Sequence, residues 1–160
     1  MAIRNSGLGE RSGVIGAGEK APQFTLLDQD RNAWKLSEAV ENGDVVLCFY
    51  PMDFSPVCSV EMKCATAEFE RFAAHAAQVV GISCDSFFTH KAWAEAEGVT
   101  VPLLADMHRE VCKAYGVYFE DLHTAGRATV IVGGDGVVKW SQQREIEDAM
   151  EVDEVLAAIG

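Results

Sequence analysis

The fold is decided by the stretch GDVVLCFYP at residues 43–51 and by the loop that follows it. Residues 45–50 are continuously apolar and stand between a Gly-Asp pair and a proline. Continuous apolarity, rather than alternation, is typical of a central strand that is covered on both faces. We therefore predict a buried strand here, a loop over residues 51–57 and a helix from about Cys58 to about Ala77.

Strands and helices alternate on either side of this strand. The alternation favours a sheet with parallel neighbours and helices on both faces. The Gly-rich turn at residues 133–136 indicates a hairpin that adds antiparallel strands. The fold class is therefore α/β, a central mixed sheet flanked by helices, and it resembles the thioredoxin-like fold with an N-terminal extension. Further strands are predicted at 24–27, 33–36, 78–84, 103–105, 128–132 and 137–140, and further helices at 37–42, 86–97, 107–115 and 152–159.

The sequence predicts one domain, preceded by a short N-terminal segment. Residues 1–15 are rich in Gly, Ser and Arg and lack periodicity, so we expect a flexible N-terminal tail. No internal repeat or linker interrupts the rest, and we expect residues 16–160 to form a single domain. A chain of 160 residues is long enough to bury a core.

Acidic residues outnumber basic ones. The chain has 25 Asp and Glu against 13 Lys and Arg, which gives a formal net charge of −12. This charge would repel a nucleic acid or an anionic membrane, so neither is expected as a partner. No apolar run is long enough to span a bilayer. The first residues show no apolar signal segment, so we expect a cytoplasmic protein.

Five cysteines, at positions 48, 58, 64, 84 and 112, require an explanation. Their odd number argues against a disulfide framework, and the lack of a Cys-x2-Cys pair argues against a structural zinc site. The histidines form no spaced pair and are expected at the surface. We therefore expect no metal site, and we interpret the cysteines as buried thiols with one or two reactive members.

Cys58 is expected where the loop after the central strand enters a helix. Backbone N–H groups in a first helical turn lack intrahelical partners and carry partial positive charge, which stabilises a thiolate. The apolar positions of this helix fall on one side, and Cys58 is among them, so it would lie at the bottom of a pocket. Spacing alone leaves open whether Cys58 is a nucleophile or a small core residue. The positions on this stripe are Cys58, Met62, Ala65, Phe69, Phe72, Ala73 and Ala76.

The residues around Cys58 form a motif. Pro51-x3-Ser55-x2-Cys58, within FYPMDFSPVCSVE at 49–61, resembles the peroxiredoxin signature Pro-x3-Thr/Ser-x2-Cys. The resemblance covers about residues 16–140 and is closest to the one-cysteine and bacterioferritin-comigratory-protein-like branches of the alkyl hydroperoxide reductase and thiol-specific antioxidant family. It also rests on GEKAPQFTL at 18–26, VGISCDS at 80–86, YGV at 115–117 and RATVIV at 127–132.

The resemblance implies a role for each residue of the motif. Cys58 would be the peroxidatic cysteine, which attacks a peroxide oxygen and becomes a sulfenic acid. Arg127 would place a permanent positive charge beside it. Ser55 would hydrogen-bond the peroxide, and Pro51 would shield the thiolate from water. Glu61 would help to hold the active-site arginine, although an exposed first-turn Glu favoured by the helix dipole is an equally good interpretation.

The residues leave open what reduces the sulfenic acid. Cys64 is about 9 Å from Cys58 along a helix and on another face, so a disulfide between them would require the helix to unwind. Cys48 is interpreted as a core residue, and Cys84 and Cys112 as packing residues first and resolving residues second. We therefore expect a one-cysteine mechanism with an external thiol, which would be thioredoxin, glutaredoxin or a low-molecular-weight thiol.

The sequence thus predicts an enzyme, a thiol-dependent peroxidase that reduces hydrogen peroxide or organic hydroperoxides without a cofactor. It would act as an antioxidant in cell redox homeostasis, and the resemblance implies a homodimer. Two alternatives stay open: a peroxide sensor or chaperone-like protein that signals through Cys58, and an atypical two-cysteine peroxiredoxin with Cys64 as the resolver. A thioredoxin-type dithiol reductase is disfavoured because Glu61, not a cysteine, stands at the second position of such a pair.

Overall fold

The apolar run at 45–50 forms the centre of a five-stranded sheet in the computed structural model, which describes residues 3–159. The central strand has a parallel neighbour on one side and an antiparallel neighbour on the other, so the sheet is mixed. The strands are β1 (Thr25–Leu27), β2 (Ala33–Lys35), β3 (Asp44–Phe49), β4 (Ala77–Ser83), β5 (Leu103–Ala105), β6 (Tyr118–Phe119), β7 (Thr124–Ala125), β8 (Arg127–Val132) and β9 (Val138–Arg144).

The strand order in the sheet is β5-β4-β3-β8-β9. β5, β4 and β3 are parallel, whereas β8 and β9 form the antiparallel hairpin that the Gly-rich turn predicts. Two short hairpins lie outside the sheet, β1 with β2 and β6 with β7. The α/β class and the central mixed sheet are confirmed, while the β6–β7 hairpin has no counterpart in the sequence prediction.

Helices cover both faces of the sheet. α4 matches its prediction closely: the Ser86 hydroxyl accepts the Thr89 N–H at 3.1 Å at the start, and Gly98 ends the helix with φ of +67°. No helix within residues 3–159 is both long enough and apolar enough to cross a bilayer. The helices are α1 (Leu36–Ala39), α2 (Pro56–Ala67), α3 (Phe69–Ala74), α4 (Phe87–Glu97), α5 (Glu110–Ala114) and α6 (Val152–Ile159), and 3₁₀ turns occupy Val40–Asn42 and Glu120–Leu122.

The prediction of one continuous helix from Cys58 to Ala77 is wrong. The segment is two helices, because the backbone leaves helical geometry at Glu68, where φ is −94° and ψ is 13°. The break changes which side chains face the sheet: Phe72 is buried, but Phe69 is 63% exposed. Of the predicted apolar stripe, Cys58, Met62, Ala65 and Phe72 are therefore buried, whereas Phe69, Ala73 and Ala76 are exposed.

The sheet separates two apolar clusters. Val45, Leu47 and Phe49 of β3 point to one side, where α1 and α5 cover them. Alternate residues of β3, among them Cys48, point to the other side, where α2, α3, α4 and α6 pack. Side chains of a strand alternate between faces, so a continuous apolar strand requires a core on each side. Cys58 belongs to the second of these cores.

The segment before Gly16 has no helix or strand between residues 3 and 15, but it makes specific contacts. The Asn5 side chain bonds the backbone of Thr25 at 2.9 and 3.0 Å, and the Ile15 side chain is fully buried in the first cluster. Gly116 has φ of +71° and lies against the Gly13 carbonyl, where any Cβ would clash. The flexible tail and the domain boundary at Gly16 stay predictions.

Candidate active site

Cys58 lies in the first turn of α2, directly after the loop that leaves β3. Ser55 is the N-cap residue in extended conformation, Pro56 is the first helical residue, and the first helical hydrogen bond runs from the Ser59 N–H to the Ser55 carbonyl at 3.0 Å. Proline suits this position because its missing N–H would have no helical partner. The Cys58 side chain is fully buried, so a small molecule reaches the sulfur only when neighbouring side chains move.

Arg127 is the cation beside this sulfur. It opens β8, which pairs with β3, and its Nη2 donates to Cys58 Sγ at 3.3 Å. Its Nε donates to the Ile146 carbonyl at 2.7 Å, which fixes the plane of the guanidinium. The side chain is only 1% exposed, so its charge is little screened by water. Cys58 and Arg127, 69 positions apart in the sequence, are thus in direct contact.

Glu61 links this arginine to a second one. One oxygen of the Glu61 carboxylate pairs with Arg127, and the other accepts from Arg144 Nη2 at 2.9 Å and from the Met150 N–H at 2.7 Å. Glu61 is 1% exposed, so it is not a solvated first-turn residue. Two guanidinium groups and one carboxylate leave one positive charge in a buried site. A thiolate at Cys58 would balance that charge.

Arg144 is a site residue that the sequence did not reveal. It is the cross-strand partner of Arg127 in the β8–β9 hairpin, and its Nη1 donates to Thr129 Oγ1 at 2.9 Å. Hairpin register could in principle have found it. However, an irregularity at Ile131/Val132 shifts the pairing by one residue, so counting outward from the Val132–Val138 pair would have placed residue 143 opposite Arg127.

The two other motif residues lie in the same loop. Pro51 is buried at its start. The Ser55 hydroxyl oxygen is buried and has no hydrogen-bond partner among residues 3–159. Buried hydroxyls are normally paired, and an unpaired one costs free energy. This oxygen is therefore free to bond a small molecule that enters the site.

A buried polar network anchors the loop at residues 51–57 through Asp53. Asp53 accepts from the Tyr50 hydroxyl at 2.6 Å, and its other carboxylate oxygen lies 2.6 Å from His90 Nδ1. The Asp53 N–H donates to Asp85 at 2.9 Å, and His90 Nε2 contacts the Leu104 carbonyl at 3.1 Å. Burial and the negative charge of Asp53 raise the pKa of Tyr50, which keeps its hydroxyl a donor.

The prediction that every histidine lies at the surface is wrong for His90, which has no exposed surface. A signal was present in the sequence. His90 follows Phe87 by three residues and precedes Ala94 by four, which places it on the apolar face of α4.

The other cysteines are all free thiols, and three of them belong to the two cores: Cys48 to one, Cys84 and Cys112 to the other. Cys64 is half-buried on α2, and Cys48 Sγ lies 3.5 Å from the Met150 sulfur. Cys84 and Cys112 meet on the face of the sheet away from Cys58, with their sulfur atoms 3.8 Å apart. The sequence spacing of Cys84 and Cys112 does not predict that these two thiols meet.

The chain resembles known proteins over most of its length. Residues 17–141 match the AhpC/TSA family. It is 33% identical to the 2-cysteine peroxiredoxin, chloroplastic, of Chattonella marina var. antiqua, over 91% of this chain and 79% of that protein. It is 31% identical to alkyl hydroperoxide reductase E of Mycobacterium bovis, over 91% of this chain and 99% of that protein. The crystal structure of peroxidoxin BcpB from Mycobacterium tuberculosis superposes with a TM-score of 0.82 at 28% identity, covering 91% of this chain and 96% of that one. The chain therefore belongs to the AhpC/TSA family and is a peroxiredoxin, a thiol-dependent peroxidase.

Proposed function

We propose that Cys58 is the peroxidatic cysteine and that it reduces hydrogen peroxide or an organic hydroperoxide. The Cys58 thiolate attacks one peroxide oxygen, the O–O bond breaks, and the other oxygen leaves as water or an alcohol after it takes up a proton. Cys58 is then a sulfenic acid. The observation that carries this proposal is the 3.3 Å contact between Arg127 Nη2 and Cys58 Sγ inside a buried cluster with one surplus positive charge.

The neighbouring residues support this step in different ways. Negative charge grows on the departing oxygen, and a fixed guanidinium in a dry site stabilises it more than water would. The unpaired Ser55 hydroxyl can donate to the peroxide, and buried Pro51 limits the entry of water. Glu61 is a positioning residue, since it touches Arg127 and not the sulfur.

We propose an external thiol as the reductant of the sulfenic acid. Cys64 is on the same helix as Cys58, about 9 Å further along its axis. Cys84 and Cys112 belong to the core on the other side of the sheet. The external thiol would form a mixed disulfide with Cys58 and release water, and a second thiol would then free Cys58. Thioredoxin, glutaredoxin and a low-molecular-weight thiol remain the candidates.

A homodimer in the cytoplasm is also proposed. Two large apolar side chains on the active-site loop are exposed, Met52 at 40% and Phe54 at 53%, and so is Phe88 of α4 at 67%. Exposed apolar groups of this kind favour a protein interface. All five cysteines are thiols, which suits a reducing compartment. Sedimentation at two protein concentrations tests the dimer.

The experiment that tests the catalytic assignment compares Cys58→Ser with Cys64→Ser. Peroxide consumption is followed with dithiothreitol as reductant, and a sulfenic-acid trap is read by intact mass. Cys58→Ser should lose both the activity and the trapped adduct, whereas Cys64→Ser should keep both. If Cys58→Ser consumes peroxide as fast as the parent, Cys58 is not the peroxidatic residue.

A further inference from the structure

Cys84 and Cys112 are adjacent thiols from distant parts of the chain. Cys84 immediately follows β4 and Cys112 lies in α5, and their sulfur atoms are 3.8 Å apart. Both lie on the face of the sheet opposite to Cys58. The two sulfurs are close enough that small side-chain rotations would bring them to the roughly 2.05 Å of a disulfide bond.

The two thiols differ in access. Cys84 is partly exposed, while Cys112 is fully buried and its Sγ also contacts the Arg109 carbonyl at 3.3 Å. The hydrogen bond with Cys84, together with burial, raises the pKa of Cys112. Cys84 is therefore the thiol that a small oxidant reaches first. Cys112 is buried next to it as a protonated thiol.

The nearby carboxylate of Asp106 does not make this cluster a metal site. Cys84, Asp106 and Cys112 are close enough to share an ion. However, one oxygen of Asp106 accepts the Val111 N–H at 3.2 Å and the other accepts the Cys112 N–H at 2.8 Å. Both oxygens are thus used to hold the start of α5. The two thiols, unlike the carboxylate, therefore remain available to react.

We propose that Cys84 and Cys112 form a second redox site, a dithiol that hydrogen peroxide converts reversibly into an intramolecular disulfide. The Cys84 sulfur attacks a peroxide oxygen, the O–O bond breaks, and one water leaves. The Cys112 sulfur then attacks the Cys84 sulfur, an S–S bond forms as the S–O bond breaks, and a second water carries away the remaining thiol proton. The two sulfurs together lose the two electrons that the peroxide gains.

The test uses the full chain with Cys58→Ser, so that its outcome does not depend on the proposed function. The variant has four thiols, the five cysteines less Cys58. It is treated with excess hydrogen peroxide, free thiols are blocked with N-ethylmaleimide, and the chain is digested without reductant for mass mapping. We expect a linked peptide pair containing Cys84 and Cys112, the loss of two blockable thiols, and recovery of both with dithiothreitol.

Two further variants in the same background serve as controls. Adding Cys64→Ser should leave the linked pair unchanged, and adding Cys112→Ser should abolish it and leave Cys84 as a sulfenic or sulfinic acid. The proposal is overturned if Cys84 oxidises to a sulfinic acid without linking while Cys112 is present. It is equally overturned if Cys84 links two copies of the chain, or if stoichiometric Zn²⁺ binds the pair and protects it from peroxide.

Discussion

Glu61 is the residue on which the charge arrangement of the site depends. Its carboxylate touches both buried guanidinium groups and the Met150 N–H, and the residue is only 1% exposed. Arg127 is thereby held with one nitrogen aimed at Cys58. The contact between Arg127 and Cys58 depends on the orientation of the guanidinium as well as on its charge, because a guanidinium donates hydrogen bonds in a fixed plane.

Replacing Glu61 with Gln removes the negative charge and keeps the shape. We expect the free energy of unfolding to fall by about 3–5 kcal/mol, because two buried arginines lose their counter-charge. Reaction of Cys58 with peroxide should slow by about tenfold or more as Arg127 loses its orientation. Urea unfolding and stopped-flow peroxide kinetics measure the two effects.

Glu97→Gln is the matched control for this variant. Glu97 forms an ion pair with Lys63 at the surface, where both side chains are partly exposed. An exposed pair of this kind is worth at most about 1 kcal/mol. Equal losses in the two variants would contradict the role given to Glu61.

Cys48 connects stability to pH. Burial, followed by the negative charge of Glu61, raises the pKa of Cys48 from 9.0 to about 12. The unfolded chain releases this proton at lower pH than the folded one, so the free energy of unfolding falls as pH rises between those two values. Between about pH 7 and about pH 10 the loss from this group is about 1.4 kcal/mol.

Urea unfolding of the parent and of Cys48→Val at about pH 7 and about pH 10 measures this contribution. Valine is close in size and carries no proton, so the variant should lose less stability on going to the higher pH, by about 1.4 kcal/mol. An identical loss in both proteins would show that Cys48 does not titrate in this range.

Local sequence signals set both ends of α4. Ser86 caps its first turn, and Gly98 ends it in the left-handed region with open space around the Cα. A side chain at Gly98 would therefore meet no neighbour, and its only cost would be the backbone conformation.

Gly98→Ala should lower the free energy of unfolding by about 1 kcal/mol through this backbone cost. Gly13→Ala is the matched control, since Gly13 also has open space around it but is not in the left-handed region. It should change stability by less than about 0.5 kcal/mol. Thermal or urea unfolding distinguishes the two, and an equal effect would remove the conformational explanation.

Prediction from the sequence succeeded where a signal is local. The continuous apolar run predicts β3, and the motif around Cys58 identifies the loop and the start of α2. The break at Glu68 was missed because neither Gly nor Pro marks it, and a periodicity of about 100° per residue cannot detect a change of helix axis. Arg144 was missed because a bulge hides its register.

Residues 3–15 pack along the first core. The Arg11 N–H donates to the Lys113 carbonyl at 3.1 Å, and the Ile15 N–H donates to the Tyr115 carbonyl at 3.0 Å. The buried Ile15 side chain lies in the same cluster as β3. This packing holds residues 11–15 against α5 and the residue that follows it.

Ile15→Ala should therefore lower the free energy of unfolding by about 2–5 kcal/mol, as expected for truncating a fully buried aliphatic side chain. Val14→Ala is the control: Val14 is only partly buried, so its truncation should cost clearly less. Urea unfolding measures both. A negligible effect of Ile15→Ala would mean that the segment is a loose tail in solution, as the sequence composition suggests.

The position of Cys58 on one side of the sheet and of the Cys84–Cys112 pair on the other has a consequence for electron flow. Thiol–disulfide exchange requires one sulfur to strike another directly. The central sheet and its aliphatic side chains separate the two sites, so the sulfur atoms cannot react with each other within one folded molecule. If both proposals hold, oxidising equivalents captured at one centre would reach the other centre of the same molecule only through a diffusible carrier, so the two centres would hold different oxidation states at the same time.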